Sequence, residues 1–113
     1  MSMLHQMKLK QESFEKVKNG SKKVEIRLND EKRRLLNVGD KIEFSLVTHP
    51  VEKIQAQVTG LTMIACFEDL FVAYPPEQYG GARQGEFEKM YEYYSPDDEK
   101  KYGVLAIVLL LSK

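Results

Sequence analysis

Hydrophobic and polar residues alternate most strictly over residues 23–28, where Val24, Ile26 and Leu28 share one face and Lys23, Glu25 and Arg27 the other. That period of two predicts a strand. A weaker alternation over Leu4–Leu9 predicts an earlier one, and after it Phe14 and Val17 stand at helical spacing in a short helix, Gln11–Lys18, that stops at Asn19-Gly20. Val38-Gly39-Asp40 reads as a turn into a strand at 41–47, and a strand at 53–61 follows His49-Pro50 and pairs with it antiparallel, with a bulge at Val58-Thr59-Gly60. Phe67–Ala73 and residues 86–94 read as short helices, separated by the breaker Tyr74-Pro75-Pro76 and a Gly80-Gly81 loop. Ser95-Pro96-Asp97-Asp98 then supplies a cap, a proline for the first helical position and acids for a helix N-terminus, before a final apolar strand at 103–111. Five strands with short helices between the third and the last predict an α+β domain whose sheet curls into a small barrel.

Composition sets the scale of this fold. The chain has 113 residues, 42% of them hydrophobic, which suffices for one core and not for two, so residues 1–113 read as a single domain. The apolar run at 104–111 is far shorter than the roughly 20 residues that span a bilayer, so it is a buried strand and no membrane partner is expected. No secretory pattern opens the sequence, and a cytoplasmic protein is the expectation. Cys66 is the single cysteine, which excludes an internal disulfide and a cysteine-based zinc cluster and reads as a small buried hydrophobe. His5 and His49 lack further ligands, so no metal and no cofactor are expected.

Charge changes the picture more. Acidic and basic residues number 17 each, yet residues 16–34 carry eight basic residues against three acidic ones, and residues 68–99 carry nine acidic against two basic. The neutral total therefore conceals a basic surface suited to phosphates beside an acidic flank.

The candidate chemistry lies in Gly20-Ser21-Lys22-Lys23-Val24-Glu25-Ile26-Arg27, where a helix-stopping glycine delivers Lys22 to the mouth of a strand bearing Glu25 and Arg27. Side chains two apart on a strand share a face at about 6–7 Å, so Glu25 and Arg27 can pair or can both address one ligand. Taken on alternation alone, the same three charges form an ordinary solvated strand face with a weak ion pair.

The pattern Gly20, Lys22, Glu25, Arg27, followed by Val38-Gly39-Asp40 and closed by Tyr102-Gly103-Val104 before an apolar strand, resembles the ASCH domain of the PUA-like superfamily over nearly the whole chain. The resemblance implies a PUA-like small β-barrel with short surrounding helices and a cleft that binds RNA or a nucleotide-like ligand, lined here by Lys22, Glu25 and Arg27. Some small members are similar to acetylcytidine amidohydrolases, which use the lysine, a threonine three residues after it and a glutamate from the later helical region. Lys22 matches the lysine, Glu25 stands in the threonine position, and Glu86 is a weak candidate for the later acid. A carboxylate is a much poorer candidate than a hydroxyl for that nucleophile or donor role, and binding requires fewer assumptions, so binding ranks above hydrolysis.

The first expectation is an RNA- or nucleotide-binding domain in which Lys22 and Arg27 contact phosphate, Glu25 orders Arg27 or accepts from a base amine, and Lys23, Arg33 and Arg34 form a basic rim. The alternative is a small hydrolase acting on a modified nucleoside or RNA, with Lys22 of lowered or Glu25 of raised pKa acting on water and Arg27 holding an oxyanion. A weaker third reading is a protein-interaction module that uses the acidic flank. Tyr91, Tyr93, Tyr94 and Tyr102 offer faces for bases, although half-buried packing is the commoner use of such residues, and Tyr79-Gly80-Gly81-Ala82-Arg83 reads equally as a lid or a connector.

Overall fold

The computed structural model describes residues 3–79 and 86–112. Five strands form one sheet: β1 (Leu4–Leu9), β2 (Val24–Leu28), β3 (Lys41–Leu46), β4 (Lys53–Ile64) and β5 (Val104–Leu111), in the spatial order β1-β3-β4-β5-β2. β1 pairs with β3 in parallel and the other pairings are antiparallel. The parallel pair needs a crossover, and the connection from β1 to β3 carries α1 (Gln11–Lys18) and β2 itself. Two further helices, α2 (Phe67–Ala73) and α3 (Pro96–Tyr102), lie between β4 and β5.

β1 and β2 are the two edges of this order, and in a flat five-stranded sheet they would stand roughly 19 Å apart. Arg27 Nη2 of β2 nevertheless donates to the Lys8 carbonyl of β1 at 2.8 Å. The sheet therefore curls into a half-barrel whose open seam runs between β1 and β2. Part of the curl is placed at the expected bulge, where the β4–β5 register shifts between Val58 and Gly60. A Cβ at Gly60 would lie 3.2 Å from Val108 Cγ2, so the close approach of the two strands there suits a residue without a side chain.

Two hydrophobic clusters occupy the two faces of the sheet. The inner one joins Met7, Leu9, Ile42, Phe44, Leu46, Ala56, Val58, Leu105, Ile107 and Leu109 to Phe14 and Val17 of α1. The outer one gathers Val24, Ile26, Leu28, Val104 and Ala106 under Phe67, Leu70 and Phe71 of α2. Opposed residues of an antiparallel pair share a face, and the register sets Glu25 against Ile107 and Arg27 against Leu105. Glu25 and Arg27 thus point to the inner face of the half-barrel. The solvated strand face that alternation alone allows is not what forms, because both faces of β2 are covered.

Several boundaries differ from expectation. β4 continues past the bulge to Ile64, since Leu61 to Ile64 pair with Ile107 to Val104 of β5. The stretch expected as an ordinary helix at 86–94 is a 3-10 helix, Glu86–Glu92. Phe87, Met90 and Tyr91 of this helix, with Tyr94 just beyond it, pack on the outer cluster. Two more 3-10 helices, Arg33–Leu35 and Pro76–Tyr79, fall in stretches read as loop. Cys66, expected to be buried, is half-buried at the N-cap of α2. Of the lid reading at Tyr79–Arg83 all but Tyr79, and of the later acid the side chain of Glu86, lie outside the described residues.

Candidate binding cleft at the seam of the half-barrel

The position of Lys22 follows from the end of α1. Gly20 takes a positive φ of 83°, its N–H donates to the Val17 carbonyl at 3.1 Å, and the Lys22 N–H returns to the Lys16 carbonyl at 3.0 Å. Only glycine turns here at little steric cost. The hook folds Lys22 back over α1, leaving its Nζ 3.4 Å from Ser13 Oγ.

β2 then sets the two other charges. Glu25 is 4% exposed, and each of its oxygens is engaged: Oε1 faces Lys22 Nζ at 2.9 Å and accepts the Ile26 N–H at 3.2 Å, while Oε2 accepts Arg27 Nε at 3.2 Å and Nη2 at 3.0 Å. The carboxylate also supplies an acceptor to an N–H of an edge strand. Burial pushes the Glu25 carboxyl up, but the charges of Lys22 and Arg27 and their hydrogen bonds outweigh it and hold the group below its ordinary value. Burial likewise pulls the Arg27 guanidinium down, and the facing Glu25 reverses this and keeps it firmly protonated. A Glu25 of raised pKa, one of the two alternatives in the hydrolytic reading, is therefore not what the geometry produces.

These three side chains line a cavity of about 400 Å³ at the seam, with Lys8, Leu9 and Lys10 on the β1 side and Phe71, Tyr79, Tyr93 and Tyr94 as aromatic wall. One carboxylate is shared between two cations, so the trio keeps a net positive charge. Lys10 Nζ lies over the Tyr93 ring, 4.2 Å from its centroid, and donates to its hydroxyl at 3.1 Å. Tyr94 stacks on Phe67 at 5.6 Å while also reaching the cavity, and burial raises its hydroxyl pKa despite the nearby Arg27. Such faces accept a flat apolar ring, and the cations accept its charged or polar edge.

The other sequence candidates divide. Lys23 is exposed and bonds through its backbone to Gln78 and Leu109, without lining the cavity. Arg33 lies outside this cavity, paired with Asp30 at 3.3 Å, and Arg34 is exposed with its Nε on the Asn29 carbonyl at 2.8 Å. Of the four tyrosines read as faces for bases, Tyr91 and Tyr102 pack on the outer cluster, and Tyr93 and Tyr94 reach the cavity. Lys8, Lys10, Ser13 and Phe71 were not singled out from the sequence, and Tyr79 was named only as the start of a loop. These residues are brought to the cavity from β1, α1, α2 and the 3-10 helix Pro76–Tyr79, elements far apart in the chain, and nothing local signals it.

The acidic flank is not wholly surface. Glu99 is 7% exposed; its Oε2 accepts the Phe67 N–H and its Oε1 the Tyr91 hydroxyl, each at 2.8 Å. It therefore secures the start of α2. His5 Nε2 pairs with the buried Asp40 at 2.8 Å, and among the described residues no group of three His, Cys, Asp or Glu side chains is placed to hold a metal. No helix among them is long and apolar enough to cross a membrane.

The comparisons agree with this architecture. The ASCH domain family matches residues 7–112. The crystal structure of a hypothetical protein, PH0355, is 31% identical, covers 97% of this chain and 100% of its own, and superposes with a TM-score of 0.86. The solution structure of protein PF0455 from Pyrococcus furiosus is 28% identical over 98% of this chain and 99% of its own, with a TM-score of 0.74. The crystal structure of ASCH from Zymomonas mobilis shares the fold at 16% identity and a TM-score of 0.68, over 95% of this chain and 66% of its own. No curated protein matches the chain. With the family matched over residues 7–112 and a relative 31% identical along 97% of its length, the chain belongs to the ASCH domain family and carries a PUA-like α+β fold.

Proposed function

We propose that the protein binds RNA or a nucleotide, with a base and its sugar held in the seam cavity. The observation that carries this reading is the trio itself: a carboxylate 4% exposed, gripped by Lys22 at 2.9 Å and Arg27 at 3.0 Å, beside a cavity walled by four aromatic rings. The excess positive charge suits a phosphate or carbonyl oxygen, Glu25 orders Arg27 towards it, and Tyr93 offers a stacking face. A Glu25 held ionised and engaged on both oxygens is a poor proton donor, which favours binding over acid catalysis.

Titration with short single-stranded RNA of mixed sequence, comparing the protein with Lys22→Ala/Arg27→Ala, tests the reading. Affinity should fall by roughly tenfold or more and its salt dependence should flatten. Because that double variant strands the buried Glu25, Lys10→Ala, which removes an exposed cation of the same cavity and leaves Glu25 paired, should lower affinity in the same direction with the fold unchanged. Equal affinity in both variants would remove the proposal.

A second reading, hydrolysis of an acylated nucleoside, is favoured by one contact. Ser13 Oγ stands 3.4 Å from Lys22 Nζ, which supplies a hydroxyl beside the lysine although Glu25 occupies the position of the family threonine. Turnover of acetylcytidine that disappears in both Ser13→Ala and Lys22→Ala would establish it; absence of product would eliminate it for that substrate.

A further inference from the structure

Arg27 is the wall between two cavities. A second hollow of about 350 Å³, which Tyr93 and Tyr94 do not line, is formed by Lys8, Arg27, Lys32 and Arg33 together with Gln6, Met7 and Ser45. Lys8 and Arg27 line both. The chain reaches this place by two routes. β1 and β3 run parallel with Lys8 against Ser45, and the turn after β2 brings Lys32 and Arg33 back over the same rim.

Four cations and no acid line this second hollow. Arg27 is balanced by Glu25 and Arg33 by Asp30 at 3.3 Å, whereas neither Lys8 nor Lys32 has a charged partner among the described residues. Asp30 also accepts the Arg33 backbone N–H at 3.1 Å, so both ends of the arginine are fixed. Arg33 Nε is a buried side-chain nitrogen with no hydrogen-bond partner, and a buried donor left unpaired is costly unless an acceptor joins it. Planar guanidinium groups with flanking ammonium groups match the oxygens of a phosphate, and the two unbalanced lysines match its second charge.

We infer that this second hollow is a phosphate subsite, which holds the phosphate of a nucleotide unit whose base and sugar lie in the seam cavity, with Arg27 addressing both parts. The inference rests on the proposed nucleotide-binding function and extends it: the preferred ligand carries a phosphate, and a bare nucleoside fills only half of the site. It also replaces the basic rim expected from the sequence, retaining Arg33, adding Lys8 and Lys32, and leaving Lys23 and Arg34 out.

Calorimetric or NMR titration with the four common ribonucleosides, their 5′- and 3′-monophosphates, inorganic phosphate and short mixed-sequence RNA separates the possibilities. The side chains of Lys8 and Lys32 are exposed and have no ion-pair partner among the described residues, so Lys8→Ala/Lys32→Ala should retain the fold. One monophosphate series should bind roughly tenfold or more tighter than its nucleosides, and the double variant should bring the two within about twofold, with Lys32→Ala alone, whose side chain lines only the second hollow, narrowing the gap at unchanged nucleoside affinity. Arg33→Gln should act in the same direction.

RNA or nucleotide binding that is lost in Lys22→Ala/Arg27→Ala but untouched by Lys8→Ala/Lys32→Ala would overturn the phosphate subsite and leave the seam cavity standing. Inorganic phosphate that binds through Lys8 and Lys32 while no nucleoside, nucleotide or RNA binds would keep an anion site and overturn its nucleotide assignment. Binding of none of the probes would overturn both.

Discussion

Glu25 and Glu99 are buried to similar degrees, 4% and 7% exposed, yet the first is held by two charged side chains beside a cavity and the second by a backbone N–H and a phenol at the start of a helix. Neutral donors that come from the fold itself complete Glu99 and leave it nothing to offer a ligand. Glu25 sits among more positive charge than it can neutralise, at a place where the sheet leaves a gap. Burial of a carboxylate therefore says little about its use; the nature of its partners, and whether space adjoins them, says more.

The comparison breaks most sharply on removal of each carboxylate. Glu25→Ala leaves Lys22 and Arg27 facing one another with no counter-charge, and chemical denaturation should show a loss of about 3 kcal/mol. Sulfate should restore part of that loss by entering between the two cations. Glu99→Ala strands the Phe67 N–H and the Tyr91 hydroxyl, which should cost about 2 kcal/mol, and sulfate should restore none of it. Equal recovery in the two variants would show that the distinction between charged and neutral partners is wrong.

pH sharpens the comparison with smaller effects. The Glu25 carboxyl has a lower pKa in the folded chain than its ordinary 4.5, so its contribution is complete above that value and is lost as pH falls through the folded one. Asp40, lowered by the Met3 N–H and then by His5, adds to the same acid slope. The Tyr91 hydroxyl moves the other way: burial, then Glu99, push it from 10 up to about 12. Its contribution is intact below pH 10 and is lost as pH rises towards 12. Denaturation across pH should thus lose part of its acid slope in Glu25→Gln and part of its alkaline slope in Tyr91→Phe, with neither substitution affecting the opposite limb.

Much of the fold was legible because local signals sufficed for it. Strict alternation marked β2, Asn19-Gly20 ended α1, and the bulge followed from a glycine inside a strand. Alternation could not show which polar face is interior. Lys23, Glu25 and Arg27 form a regular polar series, yet Lys23 is exposed before the strand begins and Glu25 is among the most buried charges in the domain. The half of the cleft supplied by Lys8, Lys10 and Ser13 arises from curling of the sheet, a property of five strands together. The 3-10 winding over Glu86–Glu92 was equally hidden, because spacings of three and of four both occur among Phe87, Met90, Tyr91 and Tyr94. The family resemblance supplied the weighting that periodicity lacked, by directing attention to Lys22, Glu25 and Arg27 as a unit.

The central claim is that ligand enters the seam between β1 and β2. Amide chemical-shift mapping during titration of the uniformly labelled protein with short mixed-sequence RNA tests it most directly. The account predicts that the largest shifts cluster on Lys8, Lys10, Lys22, Ile26, Arg27, Tyr93 and Tyr94, with little change along α3. Shifts concentrated elsewhere, on α3 or on the exposed face of α2, would contradict it.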